Sequence, residues 1–483
     1  MIGLQSTFVL IDLPKVGKPS AVATGAKSPL PEFSLLIYNI CHVDGEPKIS
    51  TMSVEPQYIE ERLSPTVDLA DHTTQILTKD AFSLDISITG VPRADGVQLA
   101  SNGPCEDRFN RVQLFSPWDS EKWIAASVFD GHNGWQTADH LEKELLGCVE
   151  RALRKLEPHS RDEDSIRHAI GKAFTDLDHS IVDAYASNTH NKQMGLDKKM
   201  QYMEVAMSGS CALLSLYDPS TCNIYTACTG DSRAVLGQQG SDGIWAVLPL
   251  SVDQKGDNEE EITRIQQEHP REKGIVKDGA VLGLRVSRAF ADVPWKLPYD
   301  VQLDLGHRYY TNDPMEIIKV LTPPYITAEP VVTVVKAGRP SFLVLATDGL
   351  WDQCTSMEVI DLVTRWLEAQ PEAAKYMKIT PPTVWWKSEP PHQPDWKPGF
   401  DFLQRWDGFD LRFEEERTAI EDLDNVAVHL LRNACGGNHR ELLAGTLAVR
   451  PPYSRDLRDD ITIQVIFFGI MGKAEETLRS IET

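Results

Sequence analysis

The chain has no Cys-x-x-Cys pair, no uninterrupted run of about 18 apolar residues, and no excess of basic side chains. Its eight cysteines (Cys41, Cys105, Cys148, Cys211, Cys222, Cys228, Cys354 and Cys435) are scattered singly through 483 residues. With no signal peptide ahead of them they read as reduced thiols, mostly in the core, which excludes a disulfide scaffold or a cysteine-rich zinc module. The missing apolar run excludes a transmembrane helix and leaves no membrane insertion to expect. Lys+Arg is 48 against Asp+Glu 71, a net charge of −23. That balance argues against nucleic acid or an anionic membrane as the main partner, so any affinity for an anion must be local. The first twenty residues lack arginine and carry Asp12, a poor match to a mitochondrial presequence. No internal repeat or low-complexity tract is present.

A hydrophobic fraction of 41% is enough for a sizeable core. Residues 1–75 mix Pro, Gly, Ser and short apolar patches and read as an N-terminal extension. From there to about 475 the pattern is that of one catalytic domain. Phe82–Thr89, Trp123–Phe129, Cys211–Tyr217, Asn223–Cys228, Ala234–Leu236, Phe342–Thr347 and Ile461–Phe468 read as strands. Leu141 to Leu156, Ile166 to Ala184, Gly256–Glu272, Ser356–Trp366 and Leu423–Asn433 keep helical spacing, and Asp257 or Asn258 is placed to cap the third of these. A stretch at about 370–415 holds Trp385, Trp386, Trp396 and Trp406 among prolines and reads as an insertion packed by its aromatics. Strands joined by tight turns, with helices grouped in pairs, imply an α+β fold: a four-layer α-β-β-α sandwich of two antiparallel sheets flanked by helices.

Three of the apolar runs meet an aspartate at a turn. WIAASVF runs into Asp130-Gly131-His132-Asn133-Gly134, FLVLAT runs into Asp348-Gly349-Leu350-Trp351-Asp352, and Asp459-Asp460 precedes ITIQVIFF. Asp107, after Glu106, and Asp231, in Gly230-Asp231-Ser232-Arg233, add two more. Each motif alone is an ordinary turn. Together they put carboxylates at the ends of buried strands, where they repel one another unless cations sit between them. Almost no His or Cys accompanies them, so the oxygen set of Asp107, Asp130, Asp231, Asp348, Asp352 and Asp459 suits Mg²⁺ or Mn²⁺ and not Zn²⁺. Two such ions roughly 3.5–4 Å apart make a shared water a hydroxide near neutral pH and neutralise an in-line phosphoryl displacement. Gly131 lets its carbonyl approach an ion that a Cβ would crowd. His132, next in the chain, is placed to protonate a leaving alkoxide.

The ordered set Glu106-Asp107, Asp130-Gly131-His132-x-Gly134, Ser208-Gly209-Ser210, Gly230-Asp231-Ser232-Arg233, Ser287-Arg288-Ala289-Phe290, Ala346-Thr347-Asp348-Gly349-Leu350-Trp351-Asp352 and Arg458-Asp459-Asp460 resembles the metal-dependent (PPM, type 2C) protein serine/threonine phosphatases. The resemblance implies a phosphoprotein substrate and a binuclear Mg²⁺ or Mn²⁺ centre held by Asp107, Asp130, the Gly131 carbonyl, Asp348 and Asp459. It implies a third, weaker ion at Asp231 and Asp352, with Asp348 shared. His132 resembles the general acid, and Glu106 the carboxylate that orders the attacking water. Leu321–Pro330, Glu268-His269-Pro270 and Asn425–Ala434 look like the pyruvate dehydrogenase phosphatase branch, which implies that complex as partner and a mitochondrial location.

Two positions depart from the family pattern. Asn102 stands where many relatives carry an arginine that grips phosphate, and it donates hydrogen bonds without charge. Ala291 stands where glycine is usual before Asp292, which matters if that backbone needs a positive φ; Asp292 itself reads as structural. Other readings remain. The weak presequence favours a cytoplasmic phosphoprotein phosphatase of other specificity. A catalytically silent scaffold on the same fold would be marked by lost carboxylates, and none of the matched aspartates is missing. A cysteine-dependent phosphatase is excluded, because Cys435 and Arg440 are separated by four residues and that phosphate loop needs five.

Overall fold

A computed structural model describes residues 38–43, 46–51, 69–88, 91–118, 122–188, 191–303, 320–338, 340–370 and 418–469. The chain separates into two compact units, Met1–Val67 and Asp68–Thr483. In the first, Tyr38–Val43 pairs antiparallel with Glu46–Thr51. The aromatic insertion expected at 370–415 lies outside the described residues, apart from its first position.

Two antiparallel sheets form the centre of the second unit. One has five strands in the order Val331–Lys336, Asn223–Thr229, Ala212–Asp218, Trp123–Phe129, Arg108–Phe115. The other has six, in the order Trp245–Pro249, Arg233–Gln239, Ser341–Ala346, Ile461–Phe468, Val91–Leu99, Phe82–Ile88. Alternation along each strand builds the layers, because successive side chains point to opposite faces. Ile124, Ala126, Val128 and Leu213 of one sheet face Leu343, Leu345, Ile466 and Phe468 of the other. Trp123, Ala125 and Phe129 face outward onto the helices Gln136–Arg154 and Glu163–Asn188 through Leu141, Leu145, Val149, Ile170 and Phe174. On the far side, Phe342, Val344, Ile463, Val465 and Phe467 meet the helices Ser356–Glu368 and Val426–Ala434 through Val359, Val363, Trp366 and Leu430. This is the expected four-layer α-β-β-α sandwich. Both faces of the central strands are covered, so they read as continuous apolar runs, and each fully buried Leu, Ile, Val or Phe contributes about 1.5–3 kcal/mol.

Caps end the helices where the sequence signals them. Asn258 accepts from the Glu260 amide at the start of Glu259–Glu268. Thr355 and Glu358 form a capping box at the start of Ser356–Glu368, and Asn425 caps Val426–Ala434. Other elements run against their local sequence. Val91–Leu99 contains Pro92, Arg93, Asp95 and Gly96, yet it is a sheet strand. Gly96 is required because a Cβ there would fall 2.3 Å from the Phe82 ring, and Arg93 pairs with the buried Asp95 at 2.8 Å. Arg288 of the Ser-Arg-Ala-Phe motif pairs with Glu261 at 2.6 Å. Burial pushes the Glu261 carboxyl up, but Arg288 and Arg264 outweigh it and hold the group down at about 2. That motif is therefore a structural tie between the helix Glu259–Glu268 and the loop leading to Phe290.

Candidate metal centre

The carboxylates gather at one end of the sandwich. Carboxylate oxygens of Asp130, Asp231 and Asp348 lie within 4.8 Å of one another. Asp130 ends the strand Trp123–Phe129, and its carbonyl accepts from the Cys211 amide at 2.8 Å. Asp348 follows Ser341–Ala346 in a single helical turn, tied back by the Trp351 indole to the Ala346 carbonyl at 3.0 Å. Asp231 is buried between the strands Asn223–Thr229 and Arg233–Gln239. Arg233, two residues on, makes paired contacts of 2.9 and 2.6 Å to Asp253, which hold that turn to the loop after Trp245–Pro249.

Asp107 is buried, and its Oδ2 accepts hydroxyls of Thr347 at 2.8 Å and Thr462 at 2.7 Å. Those threonines belong to the other sheet, so Asp107 joins the two sheets behind the cluster. Asp459 stands at the entry of the last strand in an ion pair with Arg455. Asp460, which the sequence left without a role, collects the amides of Ser101, Asn102 and Glu106 and the Asn102 side chain on its carboxylate. It thereby fixes the loop carrying Glu106 and Asp107. Gly131 touches that loop so closely that a Cβ would fall 2.4 Å from the Glu106 carbonyl oxygen. The glycine is therefore required by backbone packing as well as by any approach to an ion.

The electrostatics are those of crowded like charges. Burial, then the charge of neighbouring aspartates, holds the carboxyls of Asp107, Asp130 and Asp348 well above the usual carboxylate range. Asp352 and Asp459 are raised by burial too, though Lys255 and Arg455, respectively, work against it. Lys255 Nζ sits 3.2 Å from Asp231, in the quarter where the resemblance puts a third ion. Asp348 Oδ1 is buried with no hydrogen-bond partner. A partnerless buried oxygen among crowded carboxylates, with no Cys or His in the triad, fits a hard divalent cation and suits Mg²⁺ or Mn²⁺.

His132 lies in a three-strand patch in which Gly131–His132 pairs with Gly209–Ser210 and that pairs with Phe290–Ala291. The patch puts His132 Nε2 2.6 Å from Asp292 Oδ2. Burial works against the charged ring, but Asp292, Asp231 and Glu106 together outweigh it, so the His132 pKa is raised. Asp292, read from sequence as structural, is thus the partner of the candidate acid. Ala291 and Asp292 both adopt positive φ, 57° and 48°. The turn is held by Asp178, which accepts from the Ala291 amide at 2.8 Å and pairs with buried Lys296 at 2.7 Å. An alanine in the left-handed region costs roughly 1–2 kcal/mol, and glycine gives back roughly 0.5–1 in chain entropy. Ala291→Gly should therefore raise stability by up to about 1 kcal/mol in denaturant titration.

Asn102 gives both hydrogens of its amide away, to Glu106 Oε2 at 3.0 Å and Asp460 Oδ2 at 3.1 Å. Cys435 is buried and its thiol is pushed up to about 11, the opposite of what a thiolate nucleophile needs.

Comparison with known proteins gives the family. The family model described as protein phosphatase 2C matches residues 101–384. A protein phosphatase 2C homolog of Schizosaccharomyces pombe is 34% identical over 421 residues, covering 85% of this chain and 88% of that protein. The mitochondrial pyruvate dehydrogenase (acetyl-transferring) phosphatase 1 of Saccharomyces cerevisiae is 35% identical over 416 residues, covering 80% and 70%. A crystal structure of serine-threonine phosphatase 2C from Toxoplasma gondii aligns with TM-score 0.43 at 16% identity, over 80% of this chain and 99% of that one. The chain belongs to the protein phosphatase 2C family and is a protein serine/threonine phosphatase. Among the described residues, no helix is long and apolar enough to cross a membrane.

Proposed function

We propose that this phosphatase hydrolyses phosphoserine and phosphothreonine at the carboxylate cluster, with pyruvate dehydrogenase as its substrate and the mitochondrion as its site of action. The observation that carries the chemistry is the convergence of Asp130, Asp231 and Asp348 within 4.8 Å. The substrate rests on the pyruvate dehydrogenase phosphatases among the relatives and on the branch motifs.

In this reading Asp107, Asp130, Asp348 and Asp459, with the Gly131 carbonyl, hold two Mg²⁺ or Mn²⁺ ions, and Asp231 and Asp352 serve a third. When bound, the ions supply the positive charge that acidifies a water and neutralises the phosphoryl oxygens. Thr347 and Thr462 keep Asp107 in place, and Asp460 holds Glu106 where it orders the attacking water. With Nε2 engaged by Asp292, Nδ1 of His132 is the nitrogen left to give its proton to the departing seryl or threonyl oxygen. Asn102 acts by aligning Glu106.

Hydrolysis of p-nitrophenyl phosphate should require added Mn²⁺ or Mg²⁺ and cease in excess chelator, with recovery on re-addition. Full activity in chelator would overturn the metal reading. Assay of phosphorylated pyruvate dehydrogenase against unrelated phosphoproteins tests the substrate, and equal kcat/KM on all of them would overturn that part.

A further inference from the structure

A phosphoryl group entering this site meets a cluster of carboxylates, and a fixed side-chain cation beside the bound ions would help to receive it. The position where relatives place an arginine is Asn102, and its two amide hydrogens are already spent on Glu106 and Asp460. It has neither charge nor a spare donor for substrate. Among the described residues, Lys255 and Arg455 form ion pairs with aspartates of the site. Lys255 is turned inward onto Asp231 at 3.2 Å, and its side chain is 28% exposed. Arg455 is different. It stands in the short turn Tyr453–Asp456, four residues before Asp459, and its side chain is 50% exposed. Its Nη1 pairs with Asp459, and among the described residues no other acceptor contacts its guanidinium. A guanidinium has five N–H donors in a planar fork, so most of them remain for a ligand. Its charge also favours the ionised form of Glu106, and Asp348 and Asp130 in turn favour its own charged form. It therefore stands at the edge of the cluster, on Asp459, with half of its side chain open to solvent.

We infer that Arg455 is the residue that receives the substrate's phosphoryl group, in place of the arginine absent at position 102. This rests on the phosphatase reading above. The competing view is that Arg455 only steadies Asp459, since an exposed i,i+4 ion pair is worth little by itself. The two views differ in what each binds: the first concerns phosphate, the second metal.

The test uses the full chain as wild type, Arg455→Ala, Arg455→Lys and the double variant Asn102→Arg/Arg455→Ala. Calorimetry on the Mn²⁺-loaded proteins measures the dissociation constant of inorganic phosphate, and on stripped proteins that of Mn²⁺. Steady-state kinetics measure KM for a phosphoserine peptide. Arg455→Ala should weaken phosphate binding and raise KM by about tenfold to a hundredfold, with Mn²⁺ affinity changed less than about twofold. Arg455→Lys should fall between, and Asn102→Arg should recover part of the loss. Weakened Mn²⁺ binding with unchanged phosphate binding would overturn the inference, as would no change in either. The phosphate titration needs no turnover, so it decides Arg455 even if the wild type hydrolyses none of the tested phosphoproteins, a result that would sink the functional reading instead.

Discussion

Asp348→Asn should lower kcat by about 10³-fold or more while the protein stays folded, since losing a metal carboxylate forfeits several kcal/mol of charge stabilisation in the transition state. The same substitution should raise the melting temperature of the chelated protein at pH 7. The sign follows from the direction of the shift. Burial and then Asp130 and Asp231 hold the Asp348 carboxyl above its unfolded value. Its protonated form is the one the metal-free fold prefers, so its contribution to stability is full below about pH 3.9 and is lost as pH rises through the folded pKa. Asparagine is neutral throughout and escapes that loss. Added Mn²⁺ should stabilise the wild type strongly and the variant little. Near wild-type turnover, or equal stabilisation of both proteins by Mn²⁺, would remove Asp348 from the centre.

His132→Gln should separate substrates by leaving group. Removing a general acid costs roughly 10²–10⁴-fold when the departing oxygen needs a proton. The seryl alkoxide of a phosphopeptide needs one; the nitrophenolate of p-nitrophenyl phosphate leaves without it. The variant should therefore lose about 10²-fold or more of kcat on the peptide and far less on the aryl ester. An equal loss on both would assign His132 to binding or folding. A second substitution at its partner, Asp292→Asn, should reproduce the selectivity in weaker form, because Asp292 holds the ring at Nε2.

The sandwich was legible wherever a strand is buried on both faces, because Trp123–Phe129, Ser341–Ala346 and Ile461–Phe468 are buried along their whole length and read as mostly apolar runs. It was illegible where packing overrides local preference. Val91–Leu99 carries turn residues that only Phe82 and Asp95 reconcile with a sheet. Arg108–Phe115 lies at a sheet edge, where charges are tolerated and blur the alternation. Leu196–Met207 exposes Leu196, Met200, Tyr202 and Met207, which weakens its apolar stripe.

At the site, the clustered Asp130, Asp231 and Asp348 stood out in the sequence because each sits where a strand meets a turn. The groups that hold them were not. Thr347 and Thr462 meet Asp107 across 240 and 355 residues of chain, separations that no local pattern reports. Asp460 was hidden beside Asp459, and only the three-dimensional path of residues 101–106 distinguishes their roles. Asp292 needed the short pairing of Gly209–Ser210 with both its neighbours to reach His132.

Anomalous diffraction at the manganese edge, from crystals of the chelator-stripped enzyme re-equilibrated with Mn²⁺, tests the central claim most directly. The account predicts two strong peaks among the carboxylates of Asp130, Asp348 and Asp459, both lost in Asp348→Asn. An active enzyme whose manganese peaks lie elsewhere, or nowhere, would contradict it.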